Sequence, residues 1–494
     1  MRFPVGRERS HIHRLHLSDN RSDKTNYFFA SPTRKEVFTK NTRKKTTHRE
    51  TRKRLEELKL AVTLSKVINH FFPGLLPALA IVNDPRNASY ITYSGKVILM
   101  TRILSSVFYI SSMRKSSEEF NSENVIRNIG FLCNEELEEL PYWETINNYL
   151  KRLDPEELQK VIIELVKRLI RSRAFEEGRI RKKYWQIVLD GTGLCSSRKE
   201  LDGKSLYKVY NKETEKEYTE YLYYVLEAKL ILRENVVVSI MTEFVDNDGK
   251  ELEKQDCELT AAKRLMKRLK EEFPMLPICI SADSLYASET ILKECKEKCW
   301  KYLLRFKEGS VPSIYEEYES LKKYKENEGS EVRNGKKISW NHETEIDYRG
   351  YSVNFVEYRE EEEAPKEKEQ NGKTAEKKFY FITDFPIKRG QAVEVAEYGR
   401  RRWKIENEGF NAQKRQGYNL EHRYSHNYQA TKNHYYLIQI GHMIAQIIEA
   451  WEKIWKGIQQ SREQKHRRML ENFKMVDLKE YKEEIQEKCQ IRFE

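Results

Sequence analysis

No stretch of the 494-residue chain offers the ~20 consecutive apolar residues that a membrane-spanning helix needs. The most apolar runs, Phe71–Val82 and Val97–Ile110, are cut by Pro73, Pro77 and Arg102, which excludes a transmembrane protein. Met1 to Asp19 is punctuated by Arg2, Arg7, Arg9 and Arg14, so no secretory leader is predicted. Cysteine is sparse: seven residues scattered along the chain fit a reducing cytosol better than a disulfide framework. Cys295 and Cys299 stand one helical turn apart, but no second Cys/His pair completes a zinc pattern, and both read as buried thiols. GxxxxGK[ST], GxSxG and HExxH motifs are missing, which removes the phosphate loop, the nucleophile elbow and the zinc-protease helix. No internal repeat of fixed period is present.

Charge is plentiful, at 34% of residues with a net of +12, and it is unevenly placed. Residues 1–55 hold 16 Lys+Arg against 5 Asp+Glu, a net of +11, so nearly the whole excess lies there. This segment lacks a sustained apolar period and reads as a disordered basic arm, either suited to polyanions or a solvated tail with no partner. Elsewhere, an aromatic content of 11% supplies the side chains of a core, and the chain is expected to be soluble and folded in several units.

Residues 56–180 read as helical. Asp154 is an N-cap with Pro155 at the first helical position, and Leu158, Val161, Ile162, Leu165, Val166 and Leu169 recur at helical spacing. Past Ile180 the pattern becomes strand, hairpin, helix, strand, helix, strand, an α/β layer. It includes an apolar run over Tyr184–Leu189 ending at Asp190, a hairpin of Tyr221–Leu232 with Val236–Phe244, and Pro277–Ala282 ending at Asp283. Residues 307–378 read as a β-rich insertion with short strands and a charged loop. The core resumes at Phe379–Asp384 and continues in one long helix from Gln391 through Lys414; residues 416–494 read as helical.

Asp190 and Asp283 each end a short apolar strand; if those strands are neighbours the carboxylates stand side by side and can bind divalent cations, but taken alone the pair reads as turn residues in a chain with 78 acidic residues. In the helix, Arg402, Glu406 and Phe410 share one face at 100° per residue, while Glu408 points opposite Glu406. Trp403 and Ile405 in the same turn predict that this helix is substantially buried. On these residues the chain resembles the DDE transposases of bacterial insertion sequences, in the group with a Tyr–Arg–Glu–Lys signature. The matching pieces are Leu189-Asp190-Gly191-Thr192, Ala282-Asp283-Ser284-Leu285-Tyr286-Ala287 and Arg402-Trp403-Lys404-Ile405-Glu406. Tyr398 and Lys414 each stand one residue further from their partners than the signature has them, and Gln413 occupies the expected Lys position.

The resemblance implies a ribonuclease H-like mixed sheet flanked by helices, built from 181–306 and 379–415, with the insertion before the third acidic residue. It implies that Asp190, Asp283 and Glu406 are catalytic and hold two Mg²⁺ or Mn²⁺ ions roughly 3.5–4 Å apart. Arg402, Tyr398 and Lys414 would contact DNA, Trp340 would be a wedge against a flipped base, and 56–180 would help bind DNA ends. His422 and His426, spaced for one helical face, would be polar or DNA-facing residues. The implied function is metal-dependent cleavage at element ends and strand transfer into target DNA, by a homodimer in the cytoplasm, associated with the nucleoid. Two alternatives stand beside it: an inactive or repurposed DNA-binding relative, and a nuclease of the same fold that joins no strands.

Overall fold

The computed structural model describes residues 59–247, 257–324, 326–333, 335–362, 376–388, 390–455, 458–487, 491 and 493. The basic arm and the centre of the charged loop lie outside them. Among the described residues no helix is long and apolar enough to cross a membrane.

The fold is mixed α/β: a ten-stranded mixed sheet flanked by helices. Its first strands are β1 (Trp185–Ser197), β2 (Leu206–Tyr210), β3 (Tyr218–Arg233), β4 (Val236–Val245), β5 (Ile278–Ala282) and β6 (Lys301–Phe306). The order β4-β3-β1-β5-β6, with β1, β5 and β6 parallel and β3 and β4 antiparallel, is consistent with a ribonuclease H-like core. The insertion is not a separate β module. β7 (Glu328–Arg333), β8 (Lys336–Tyr348) and β9 (Tyr351–Glu362) pair outward from β10 (Glu376–Thr383), which pairs with β6, so they continue the same sheet. Two short strands expected over 337–348 are one strand interrupted by a bulge, where Glu345 takes a positive φ of 62°.

The expected N-cap is present: the Asp154 carboxylate accepts from Glu156 N at 3.1 Å, and the Pro155–Arg171 helix follows. Its buried Gln159 accepts from Thr242 N of β4 at 2.9 Å, which pins the helix to the sheet. The Tyr428–Ala450 helix is buried on nearly every side. Cys295 is buried as expected, whereas Cys299 is exposed, in a left-handed turn with φ 57° that leads into β6.

The largest departure lies in the helix expected over 391–414. The Ala392–Arg400 helix gives way to three-residue closures from Arg402 N to the Gly399 carbonyl and from Ile405 N to the Arg402 carbonyl, then to a π-helix over Ile405–Asn411. Two close approaches shape this path. A Cβ at Gly399 would lie 2.5 Å from the Phe381 ring, and one at Gly409 would lie 3.1 Å from the Lys229 side chain. A π-turn holds more residues than an α-turn, which accommodates the extra residue between Glu406 and Lys414.

Candidate active site

β1 does not end at Asp190, as the apolar run suggested, because it stays paired with β3 as far as Ser197. Its pairing with β5 stops at Val188↔Ser281, so Asp190 marks the point where β1 and β5 part. Two further residues along that register bring Asp190 level with Asp283, and the alternation of a strand turns both to the face that carries Gln186 and Ser281. Gln186 donates to the Ser281 hydroxyl at 2.9 Å and to the Tyr398 carbonyl at 2.8 Å, so this face meets the helix that leads to Glu406. Asp283 caps the 3₁₀ turn Ser284–Tyr286, accepting from Leu285 N at 2.8 Å.

The π-helix delivers the third carboxylate. Ile405 and Phe410 pack with Val188, Ile231 and Val237, anchoring the segment on either side of Glu406. Arg402 then lies between two acids, its Nη1 3.8 Å from Asp190 and 3.7 Å from Glu406. Burial pushes the Asp190 carboxyl up to about 7; Arg402 opposes the shift, while Glu258, Glu406 and Asp283 add to it. The site thus concentrates more negative charge than one guanidinium offsets. Glu408 points away, accepting from Arg462 at 3.0 Å, in keeping with the expected helix phase.

Among the described residues no side-chain contact draws Tyr398 or Lys414 into this cluster. Tyr398 donates to Glu394 at 3.1 Å and accepts from Arg181 N at 3.4 Å, at the Gln186 end of β1. Lys414 pairs with Glu421 at 2.8 Å, and the neighbouring Gln413 is fully buried, bonded to Gln439 and His442. Trp340 is half-buried against the core, its ring over Gly329, where a Cβ would approach to 2.5 Å; that packing favours a core role over a wedge. Trp403 is 46% exposed, contrary to the expected burial, because the tight turns at Arg401–Ile405 rotate it off the packed face. His422 and His426 lie exposed in the connection before the Tyr428–Ala450 helix and do not share a helical face.

Glu258 was not visible as a site residue. It opens the Glu258–Glu272 helix and accepts from Tyr286 OH at 2.6 Å and Tyr224 OH at 2.9 Å. Tyr224 lies over Gly191, where a Cβ would come within 2.2 Å of its hydroxyl, so the glycine after Asp190 is required by this packing. Its one local signal is its place in the first turn of the Glu258–Glu272 helix, which carries no mark of a site.

Among the described residues no group of three or more His, Cys, Asp or Glu is already spaced to hold a metal ion. The donor types nevertheless suit a hard divalent cation: Asp283 and Glu406 act electrostatically on the buried Asp190, which is short of positive charge.

A mixed sheet with acidic residues gathered where β1 and β5 part defines a candidate centre for phosphoryl chemistry. Residues 253–444 match the family model described as "Transposase DDE domain". That span includes Glu258, Asp283, Arg402 and Glu406 and begins beyond Asp190, and it supports a transposase of the DDE type. No curated protein matches the chain. A similar solved structure is the cryo-EM structure of the piggyBac transposase synaptic complex with hairpin DNA. It has 13% identity and a TM-score of 0.40, and the alignment covers 86% of this chain and 82% of that chain.

Proposed function

We propose that the chain is a DNA transposase of the DDE type, cutting the ends of a mobile element and joining them to target DNA, with Asp190, Asp283 and Glu406 as its catalytic carboxylates. The observation that carries this reading is the meeting of Asp190, Arg402 and Glu406 from segments over 200 residues apart, within 4 Å through one guanidinium. A surface ion pair needs no such convergence, whereas phosphoryl transfer needs acids and a phosphate-binding cation in one place.

The three carboxylates would hold Mg²⁺ or Mn²⁺, which when bound supplies a strong nucleophile at neutral pH and neutralises charge on the leaving oxygen. Arg402, already between Asp190 and Glu406, would turn its planar fork to a phosphate oxygen and release the two acids for the metal. Glu258 would hold Tyr224 and Tyr286 in place behind the aspartates. Tyr398 and Lys414 would grip DNA backbone only after leaving their present partners. Assembly as a homodimer on paired ends, membership of the Tyr–Arg–Glu–Lys group and origin in a bacterial insertion sequence belong to the same proposal, as does nucleoid association.

A strand-joining assay tests it. Pre-cut duplexes carrying the DNA that flanks the reading frame are incubated with the protein, Mn²⁺ and a supercoiled plasmid. Joined products support a transposase. Cleavage without joining favours the nuclease alternative, and binding without either favours the repurposed relative.

A further inference from the structure

The interior beneath the π-helix is more polar than packing requires. Glu227 and Lys229, both on β3, are fully buried, with 3.6 Å between Oε2 and Nζ. In the β1–β3 register Lys229 faces Val188 and Glu227 faces Asp190, so both lie on the face where Asp190 stands and where Ile405 and Phe410 pack. A buried ion pair gains little over apolar residues of the same size, so stability alone gives no reason for an ammonium at this place.

Lys229 holds the π-helix segment in two ways. Its stem fills the space over Gly409, where a Cβ would come within 3.1 Å of it, and its ammonium lies 5.6 Å from the centre of the Phe410 ring. The same ammonium donates to Gln439 Oε1, on the Tyr428–Ala450 helix, at 2.7 Å. Gln439 in turn forms a reciprocal amide pair with Gln413, accepting at 2.7 Å and donating at 3.2 Å. All three side chains are buried, and Gln413 belongs to the short Ala412–Arg415 helix into which the π-helix runs. The C-terminal end of the π-helix is therefore pinned to β3. A wide turn is the less favoured helical state, and the residue it adds decides the angle at which Glu406 emerges. With Gln413 pinned, a return to α-helical turns would carry Glu406 around the axis by the turn of one residue, about 100°, and away from Asp190 and Arg402.

We propose that Lys229 is a positioning residue for Glu406: through Gly409, Phe410 and the Gln439–Gln413 amide pair it holds the π-helix in the register that presents this carboxylate to a divalent cation. The cation rests on the strand-cleaving reading above; the register rests on the contacts just given. Lys229 itself touches neither metal nor DNA.

The test compares the full chain as wild type, Lys229→Met, Gln413→Met and Gln159→Met, the last removing a buried amide that pins a different helix to β4. Each is titrated with Mn²⁺ by calorimetry and with a fluorescent duplex carrying the flanking DNA in EDTA, then assayed for cleavage of that duplex, always below its melting point. Lys229→Met and Gln413→Met should each lose about tenfold or more in Mn²⁺ affinity, with cleavage falling alongside and duplex affinity unchanged. Gln159→Met should lose stability and keep wild-type Mn²⁺ affinity. Wild-type Mn²⁺ affinity in either Lys229→Met or Gln413→Met overturns the proposal. An equal loss in Gln159→Met does so too, since it marks a general loosening of the core, as does a duplex affinity that falls with Mn²⁺ affinity in Lys229→Met. If Lys229→Met does not fold, Gln413→Met decides by the same criteria. A wild type that binds Mn²⁺ without cleaving sinks the strand-cleaving reading, and the Mn²⁺ titrations still decide the positioning role; one that binds no Mn²⁺ overturns both.

Discussion

Replacing Asp190 with asparagine should stabilise the metal-free protein at alkaline pH while removing its proposed chemistry. Burial, opposed by Arg402 and reinforced by Glu258, Glu406 and Asp283, raises this carboxyl from 3.8 to about 7. Below about pH 4 the folded and unfolded chains both hold the proton, and the group's contribution to the fold is fully present. Between about pH 4 and 7 the unfolded chain releases the proton while the folded one keeps it, so stability is lost as pH rises. At about 1.4 kcal/mol per decade, ionised Asp190 destabilises the metal-free fold by about 4 kcal/mol at most above pH 7. Asparagine keeps the shape and the acceptor for Gly191 N but carries no charge. Denaturant unfolding in EDTA should show Asp190→Asn gaining about 2–4 kcal/mol at pH 8 and almost nothing at pH 4. Added Mn²⁺ should stabilise wild type and not the variant. If Asp190→Asn is less stable than wild type at pH 8, the aspartate is a structural anion for Arg402, and the reading of an acid awaiting a cation is wrong.

Three other outcomes are expected. Burial raises the Glu449 carboxyl, but hydrogen bonding and charge from His466, then Arg462, outweigh it and hold the group at about 2. Its contribution is present above the ordinary value of 4.5 and is lost as pH falls toward 2, so Glu449→Gln should cost about 3 kcal/mol at pH 7 and little near pH 2, read from unfolding curves. Gly399→Ala should destabilise by about 1–3 kcal/mol, because its methyl group would meet the Phe381 ring at 2.5 Å and push the Arg402 segment off the sheet; a thermal melt and a cleavage assay should fall together. Removing residues 1–55, with their net charge of +11, should weaken duplex binding and flatten its salt dependence without abolishing metal-dependent cleavage.

The strands and helices of the core were legible because their signals are local: apolar runs closed by turns, and the Asp154-Pro155 start of a helix. That Asp190 and Asp283 each follow an apolar strand segment was legible for the same reason, whereas their neighbouring placement came only with the family resemblance and is seen in the β1–β5 register. What could not be read depends on distant contacts. Nothing in Tyr398–Lys414 taken alone separates a straight helix from one that tightens at Arg402 and widens into a π-helix; Phe381 and Lys229, from two different strands, set that path. The exposure of Trp403 follows from the same distortion. Glu258 could not be singled out because its significance lies in tyrosine partners elsewhere in the chain, among many acidic residues of the same type.

The central claim is that Asp190, Asp283 and Glu406 act as one metal-dependent strand-cleaving site. Cleavage of a duplex carrying the flanking DNA, measured with Mg²⁺ or Mn²⁺, tests it most directly across wild type, Asp190→Asn, Asp283→Asn, Glu406→Gln and Glu408→Gln. The account predicts cleavage by wild type and Glu408→Gln and a loss of at least about a hundredfold in each of the other three. Retained cleavage in any of those three, or its loss in Glu408→Gln with survival in Glu406→Gln, contradicts it.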